Sequence, residues 1–136
     1  MYKKTITVSS KEVMELIDIT PQIKKETQYA SLTDGICHLY TPHTTSGLTI
    51  NEGADPAVRT DIIAALKEIV SFDLKYQHLE GNSPAHLLSS ILGCSATVFI
   101  ENNSLKLGTW QKIFFCEFDG PRTRKVHIRL LPGISG

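Results

Sequence analysis

Cysteine is scarce in this chain of 136 residues, and its three copies, Cys37, Cys94 and Cys116, are odd in number and far apart. They form no Cys-x-x-Cys pair, which argues against a disulfide framework or a redox motif. Each lies in an apolar segment, so buried, reduced thiols in a reducing compartment are expected. Charge of one sign is not in excess either: 14 Lys and Arg face 14 Asp and Glu. No global field draws the chain toward nucleic acid or a membrane surface. Long apolar runs are missing, the longest being Ile62 to Leu66, far short of the roughly 20 residues that a membrane span needs. The N-terminal stretch is polar, without the apolar centre of a signal peptide. No repeat or low-complexity segment interrupts the chain. The expectation is one soluble, cytoplasmic domain over residues 1–136, long enough to bury roughly two-thirds of its unfolded surface.

What is present alternates short strands with short helices. The β-branched run in Tyr2 to Ser9 predicts a strand, and Val13 to Ile19 a second. Thr20-Pro21 opens a helix reaching Gln28. Gly35 leads into a strand over Ile36 to Tyr40, and Leu48 to Asn51 is another, across the polar bend His43-Thr44-Thr45-Ser46. Asp55, followed by Pro56, caps a helix to about Ser71 whose apolar stripe is Val58, Ile62, Leu66 and Ile69. A further helix spans Ser83 to Leu92, with Ser83 as cap, Pro84 at its first position and Gly93 closing it. Ala96 to Ile100 and Leu105 to Leu107 read as a hairpin. Lys112 to Phe118 is a long aromatic strand and Lys125 to Leu131 an alternating one, joined by the turn Asp119-Gly120-Pro121-Arg122. Strands and helices mix without βαβ regularity, which favours an antiparallel α+β fold over a doubly wound one.

The richest stretch chemically is Tyr76 to His86, Y-Q-H-L-E-G-N-S-P-A-H. A chain that doubles back at Gly81-Asn82 can bring His78 and His86 onto one point. His43, in P-H-T-T-S-G-L-T-I-N-E, is the third member expected there. Three imidazoles with an open fourth position form a catalytic zinc pattern, although ordinary loop and helix-start histidines would read the same way. His38 and His127 fall inside strands and are expected to pack or face solvent. A metal-bound water needs a carboxylate to take its proton, and Glu52, Asp55, Glu80 and Asp119 are candidates. Asp55 is explained as a helix cap and Glu52 as a solvated strand end. Asn51 has neither role. Trp110 and Gln111 pair a flat apolar face with an amide, and a tryptophan is more often core than ligand platform. Arg122 and Arg124 follow a turn, where a guanidinium fork suits phosphate or carboxylate. Lys125 and Arg129 read as a solvated edge. Nucleic-acid binding is not expected, since only one short stretch is basic.

Four blocks in series, P-H-T-T-S-G-L-T-I-N-E (42–52), Y-Q-H-L-E-G-N-S-P-A-H (76–86), L-G-T-W-Q (107–111) and E-F-D-G-P-R-T-R (117–124), resemble the YjbQ-like family, named for a secondary thiamine-phosphate synthase activity. The similarity runs through essentially the whole chain. It implies a small α+β sandwich of two mostly antiparallel sheets with two to three flanking helices, assembled as a homotrimer. It also implies a polar cleft with His43, His78 and His86 on a divalent metal, zinc first, or magnesium with a diphosphate substrate. Glu52, Asp119 and Arg122 are the implied catalytic residues. Thr44, Thr45, Asn51, Asn82, Trp110, Gln111, Arg122 and Arg124 are the implied substrate contacts. One departure stands out: where the family usually reads G-N-A-D-A-H, this chain has Pro84 in place of the acid. Three functions follow as expectations. One is an enzyme of small phosphorylated or anionic metabolites, with weak thiamine-phosphate synthesis from a pyrimidine diphosphate and a thiazole phosphate. The others are a zinc-dependent hydrolase and a non-catalytic ligand- or metal-binding trimer.

Overall fold

A computed structural model describes residues 1–134. Strands β1 (Tyr2–Ser9), β2 (Glu15–Asp18), β3 (Gly35–Tyr40), β4 (Ser46–Glu52), β5 (Ser95–Glu101), β6 (Ser104–Leu105), β7 (Gln111–Glu117) and β8 (Thr123–Pro132) alternate with helices α1 (Thr20–Ala30), α2 (Pro56–Ile69) and α3 (Ser83–Leu92). The strands form a five-stranded sheet ordered β1-β8-β3-β5-β6 and a three-stranded sheet ordered β2-β7-β4. Every pairing in them is antiparallel. The expected α+β two-sheet sandwich with flanking helices is what the chain adopts.

Strand β7 explains how the layers stack. Residues Ile113 to Glu117 are all buried, because the small sheet is covered on both faces and its central strand has no solvent side. Alternate side chains serve two cores. Ile113 and Phe115 face the large sheet, meeting Cys37, Leu39, Val98, Val126 and Ile128. Phe114, Cys116 and Phe118 face the helices, meeting Leu66 of α2, Val70 just beyond it, and Ala85 and Leu88 of α3. Among the described residues no helix covers the outer face of the five-stranded sheet, so its alternation is apolar-in and mostly polar-out, as β8 shows with Val126, Ile128 and Leu130 buried.

The helix ends follow their capping residues. The Asp55 carboxylate accepts the Ala57 N–H at 2.9 Å, and Pro56 takes the first turn of α2. That helix stops at Ile69, which is exposed and so leaves the expected stripe, while Ile63 joins it instead. Helix α3 begins one residue early: Asn82 holds the cap position without a side-chain bond to the helix, and Ser83 is already helical. The second strand shrinks to Glu15–Asp18, with Val13 exposed, and the hairpin's return arm is only Ser104–Leu105. Cys37 and Cys116 are buried as expected, and burial pushes both thiols up to about 12. Cys94 is exposed, against expectation, because it stands just before β5, beyond the Gly93 that closes α3.

Candidate functional site

Three loops meet at one end of the sandwich, where β4, β7 and β8 begin or end. The first leaves β3 at Thr41 and enters β4 at Ser46. It is pinned by Thr41 N–H to the Cys94 carbonyl at 2.9 Å, and by the Lys125 N–H of β8 donating to His43 Nε2 at 2.9 Å. The second joins α2 to α3. Gly81 turns it back at φ +76°, a conformation glycine adopts freely. His78 on the way in and His86 in the first turn of α3 therefore come side by side, ring centroids 5.3 Å apart and planes perpendicular. His78 Nε2 also stands 3.8 Å from a Glu80 carboxylate oxygen. The third loop is the turn from β7 to β8. A Cβ on Gly120 would lie 2.2 Å from the Glu12 carbonyl oxygen, so only glycine passes there.

Asp119 ties the second loop to the third. Its Oδ2 accepts from Asn82 Nδ2 at 3.0 Å and from Arg122 Nη2 at 2.9 Å, and its carbonyl accepts from Arg122 Nε at 2.8 Å. Asn82 is held by Asp119 through Nδ2, and its Oδ1, the atom that could accept from the first turn of α3, has no hydrogen-bond partner among the described residues. The Arg122 side chain remains half exposed, with no partner for Nη1 among the described residues. His43, Thr44, Thr45, His78, Glu80, Asn82, His86, Asp119, Arg122 and Arg124, with Pro42, line a cleft of about 410 Å³. A second hollow on the far side of His43 and His86 carries Tyr40, Ser89 and the exposed Cys94.

Beneath the cleft lies a buried ion pair that sequence reasoning did not single out. Glu117 and Arg124 are 0% and 4% exposed. Arg124 donates through Nε to Glu117 Oε1 at 2.9 Å and through Nη2 to Glu117 Oε2. The same Nη2 reaches Thr45 Oγ1 at 2.8 Å, so the pair braces the 43–45 wall. Ser10 Oγ and the Phe118 and Asp119 N–H groups also donate to the carboxylate. Burial alone would raise the Glu117 pKa, but the bonds from Arg124, Ser10 and Asp119, with the Arg124 charge, outweigh it and hold the value below the usual glutamate range. Arg124 is therefore a structural brace in the wall of the cleft it was expected to serve. Thr45, also buried, shares that role.

The expected three-histidine metal set does not fit this arrangement. A ring nitrogen that accepts a hydrogen bond has its lone pair engaged, and His43 Nε2 accepts from a backbone amide. In the neutral ring the other nitrogen then carries the proton, so neither is free to ligate. Among the described residues no group of three His, Cys, Asp or Glu side chains is placed to hold a metal ion.

Four expected site residues lie elsewhere. Antiparallel register places Ser46 opposite Glu117 and Glu52 opposite Gln111. Six residues of strand thus separate Glu52 from the cleft end of β4, roughly 20 Å. The Glu52 carboxylate accepts the Ala54 and Asp55 N–H groups at 2.7 and 2.9 Å, which makes it a turn-forming residue. Asn51 Oδ1 accepts its neighbour's N–H at 2.7 Å, and Gln111 Oε1 accepts from Gly108 at 2.8 Å. Trp110 is 63% exposed, so it is not core. These four sit at the far end of the small sheet, away from the histidines within one subunit.

The family model described as UPF0047 protein YjbQ-like matches residues 4–133. A UPF0047 protein of Methanocaldococcus jannaschii is 47% identical over 131 residues, covering 96% of this chain and 94% of the relative. The UPF0047 protein YugU of Bacillus subtilis is 44% identical, covering 94% and 98%. Among solved structures, a conserved YjbQ/UPF0047-family protein of Clostridium acetobutylicum superposes with a TM-score of 0.92 at 44% identity, covering 94% of this chain and 99% of that one. A protein of unknown function from Sulfolobus solfataricus gives 0.93 at 31% identity, covering 97% of each.

Proposed function

The chain belongs to the YjbQ-like UPF0047 family, and on that premise we propose that it is an enzyme that binds a small phosphorylated metabolite in the His78–Arg122 cleft. One observation carries this reading: three loops bring two adjacent imidazoles, a half-exposed guanidinium and a carboxylate onto a single cleft of about 410 Å³, a size suited to a metabolite. Arginine offers a planar fork to phosphate oxygens. Asp119 holds Arg122 by Nε and Nη2, which fixes the guanidinium and leaves Nη1 for the ligand. His78 and His86 supply groups able to give or take a proton.

Thiamine-phosphate synthesis, the reaction that the sequence resemblance suggests, suits these groups. The thiazole-phosphate nitrogen forms a C–N bond to the pyrimidine methylene. The C–O bond to diphosphate breaks, and diphosphate departs with the electron pair. Charge grows on the leaving oxygens, where fixed donors act most strongly. Arg122 and the imidazole N–H groups would provide those donors, and a magnesium ion would enter on the diphosphate as part of the substrate. The test combines purified protein, both substrates and separate assays for thiamine phosphate and diphosphate. Product from the wild type, cut at least tenfold in a folded Arg122→Ala variant, is expected. Wild-type protein that yields none would overturn the reaction.

We also propose a homotrimer and a cytoplasmic location. For the assembly, support comes from the uncovered face of the large sheet, where Ile36 pairs with Phe99 on one side and Leu131 on the other. All three are exposed and make an apolar row across three strands. Sedimentation at three times the 15.1 kDa chain mass is expected. A monomer would refute it. For the location, support comes from the free thiols of Cys37, Cys94 and Cys116.

A further inference from the structure

His43 lines the cleft with one nitrogen already committed, and that commitment decides what the ring can do. A backbone amide does not accept, so the Lys125 N–H at 2.9 Å makes Nε2 the unprotonated nitrogen. The neutral ring must then carry its proton on Nδ1. That is the less common tautomer of a free imidazole, and it is selected here by a β8 backbone group that cannot turn away. Nothing among the described residues accepts from Nδ1. Nor is that atom among the buried polar atoms without a partner, which are Arg59 Nε, Asn82 Oδ1 and Asn103 Oδ1. It is therefore open to solvent, and the ring that carries it lines both the cleft and the hollow beside it.

We propose that His43 is a fixed neutral donor whose Nδ1–H binds an anionic oxygen of the ligand, and that it serves neither as metal ligand nor as base. This deepens the phosphorylated-metabolite reading and rests on it. Protonating Nε2 would break the bond to Lys125 N–H and set a cation near Arg124, Lys125 and His127, with only Glu117 in favour. Burial, foremost, and then the Arg124 and Lys125 charges lower the His43 pKa, which agrees with the geometry. A donor that stays neutral keeps its single proton in place across the working pH range. It binds phosphate oxygens without adding a charge that would hold the product back.

The first test needs no ligand. Nuclear magnetic resonance of protein labelled with ¹⁵N and ¹³C at histidine should show His43 as the Nδ1–H tautomer from pH 6 to 8. An Nε2–H tautomer, or an imidazolium in that range, would overturn the proposal. The second test titrates inorganic pyrophosphate calorimetrically. His43→Asn keeps an N–H near the Nδ1 position and should bind within about threefold of wild type. His43→Ala and His43→Gln should weaken binding by about tenfold, the value of a hydrogen bond to a charged group. Equal affinity in all three variants would overturn the donor role. The third titrates zinc alone: His43→Ala should leave any zinc affinity within threefold, and a loss beyond tenfold would restore the ring as a ligand. Wild-type protein that binds no pyrophosphate would end the phosphate reading and this donor role with it, while the tautomer and zinc tests would still judge the ring's chemistry.

Discussion

Arg124→Met isolates the buried brace beneath the cleft. The substitution keeps side-chain length and removes the charge, leaving Glu117 fully buried with a carboxylate that has lost its cation. Stripping one partner from a buried pair costs about 3–5 kcal/mol. Here Ser10 Oγ and the Phe118 and Asp119 N–H groups still solvate the carboxylate, so the lower end, about 3 kcal/mol, is expected. For a chain of this size that corresponds to a fall in Tm of about 10 °C. Thr45 would also lose the donor to its Oγ1, so the 43–45 wall should loosen and pyrophosphate affinity should drop. The assay is thermal and denaturant unfolding at pH 7, with the slope m checked for constancy. The double variant Glu117→Leu/Arg124→Met should be more stable than Arg124→Met alone, because an apolar pair leaves no buried charge behind. A Tm for Arg124→Met within 2 °C of wild type would refute the reasoning.

Other predictions follow from single residues. The folded-state pKa of Glu117 lies below its unfolded value, so its contribution is complete above the unfolded value of about 4.3 and is lost as pH falls through the folded one; Glu117→Gln should flatten the stability decline below pH 5, and an unchanged slope would contradict the shift. Gly120→Ala would drive a Cβ to 2.2 Å from the Glu12 carbonyl oxygen, so a loss of about 1–3 kcal/mol or more is expected by chemical denaturation, and wild-type stability would show that the turn gives way freely. Iodoacetamide should label Cys94 in the native protein and all three cysteines after denaturation, because Cys37 and Cys116 are buried with thiols pushed up to about 12. Native labelling of Cys116, read by peptide mass, would contradict the packing under α3.

The order of the elements was readable because the chain's apolar spacing and its turn residues agree. The aromatic strand was legible as Lys112 to Phe118, and the structure shows both of its faces buried from Ile113 to Glu117. The Gly81 turn was enough to foresee His78 beside His86. Two things were hidden. Glu117 looked like the end of an aromatic strand, and Arg124 like an exposed fork; only the β7–β8 geometry brings them together without water. The motif blocks also gave no hint of which strand end each occupied. Pairing 46–52 against 111–117 in antiparallel register would have shown it, since Ser46 then meets Glu117 while Glu52 meets Gln111. No sequence displays the bond that bears on the metal set: a backbone N–H from β8 takes the lone pair of His43 Nε2.

The central claim is that the loops at 42–45, 78–86 and 119–124 form one binding site for phosphate oxygens. Titrating ¹⁵N-labelled protein with inorganic pyrophosphate and mapping the shifted amides tests it most directly. Shifts concentrated at His43 to Thr45, His78 to His86 and Asp119 to Lys125, saturating with one affinity, are predicted. Shifts confined to the other end of the small sheet, around Asn51 and Trp110, or none at millimolar pyrophosphate, would contradict it.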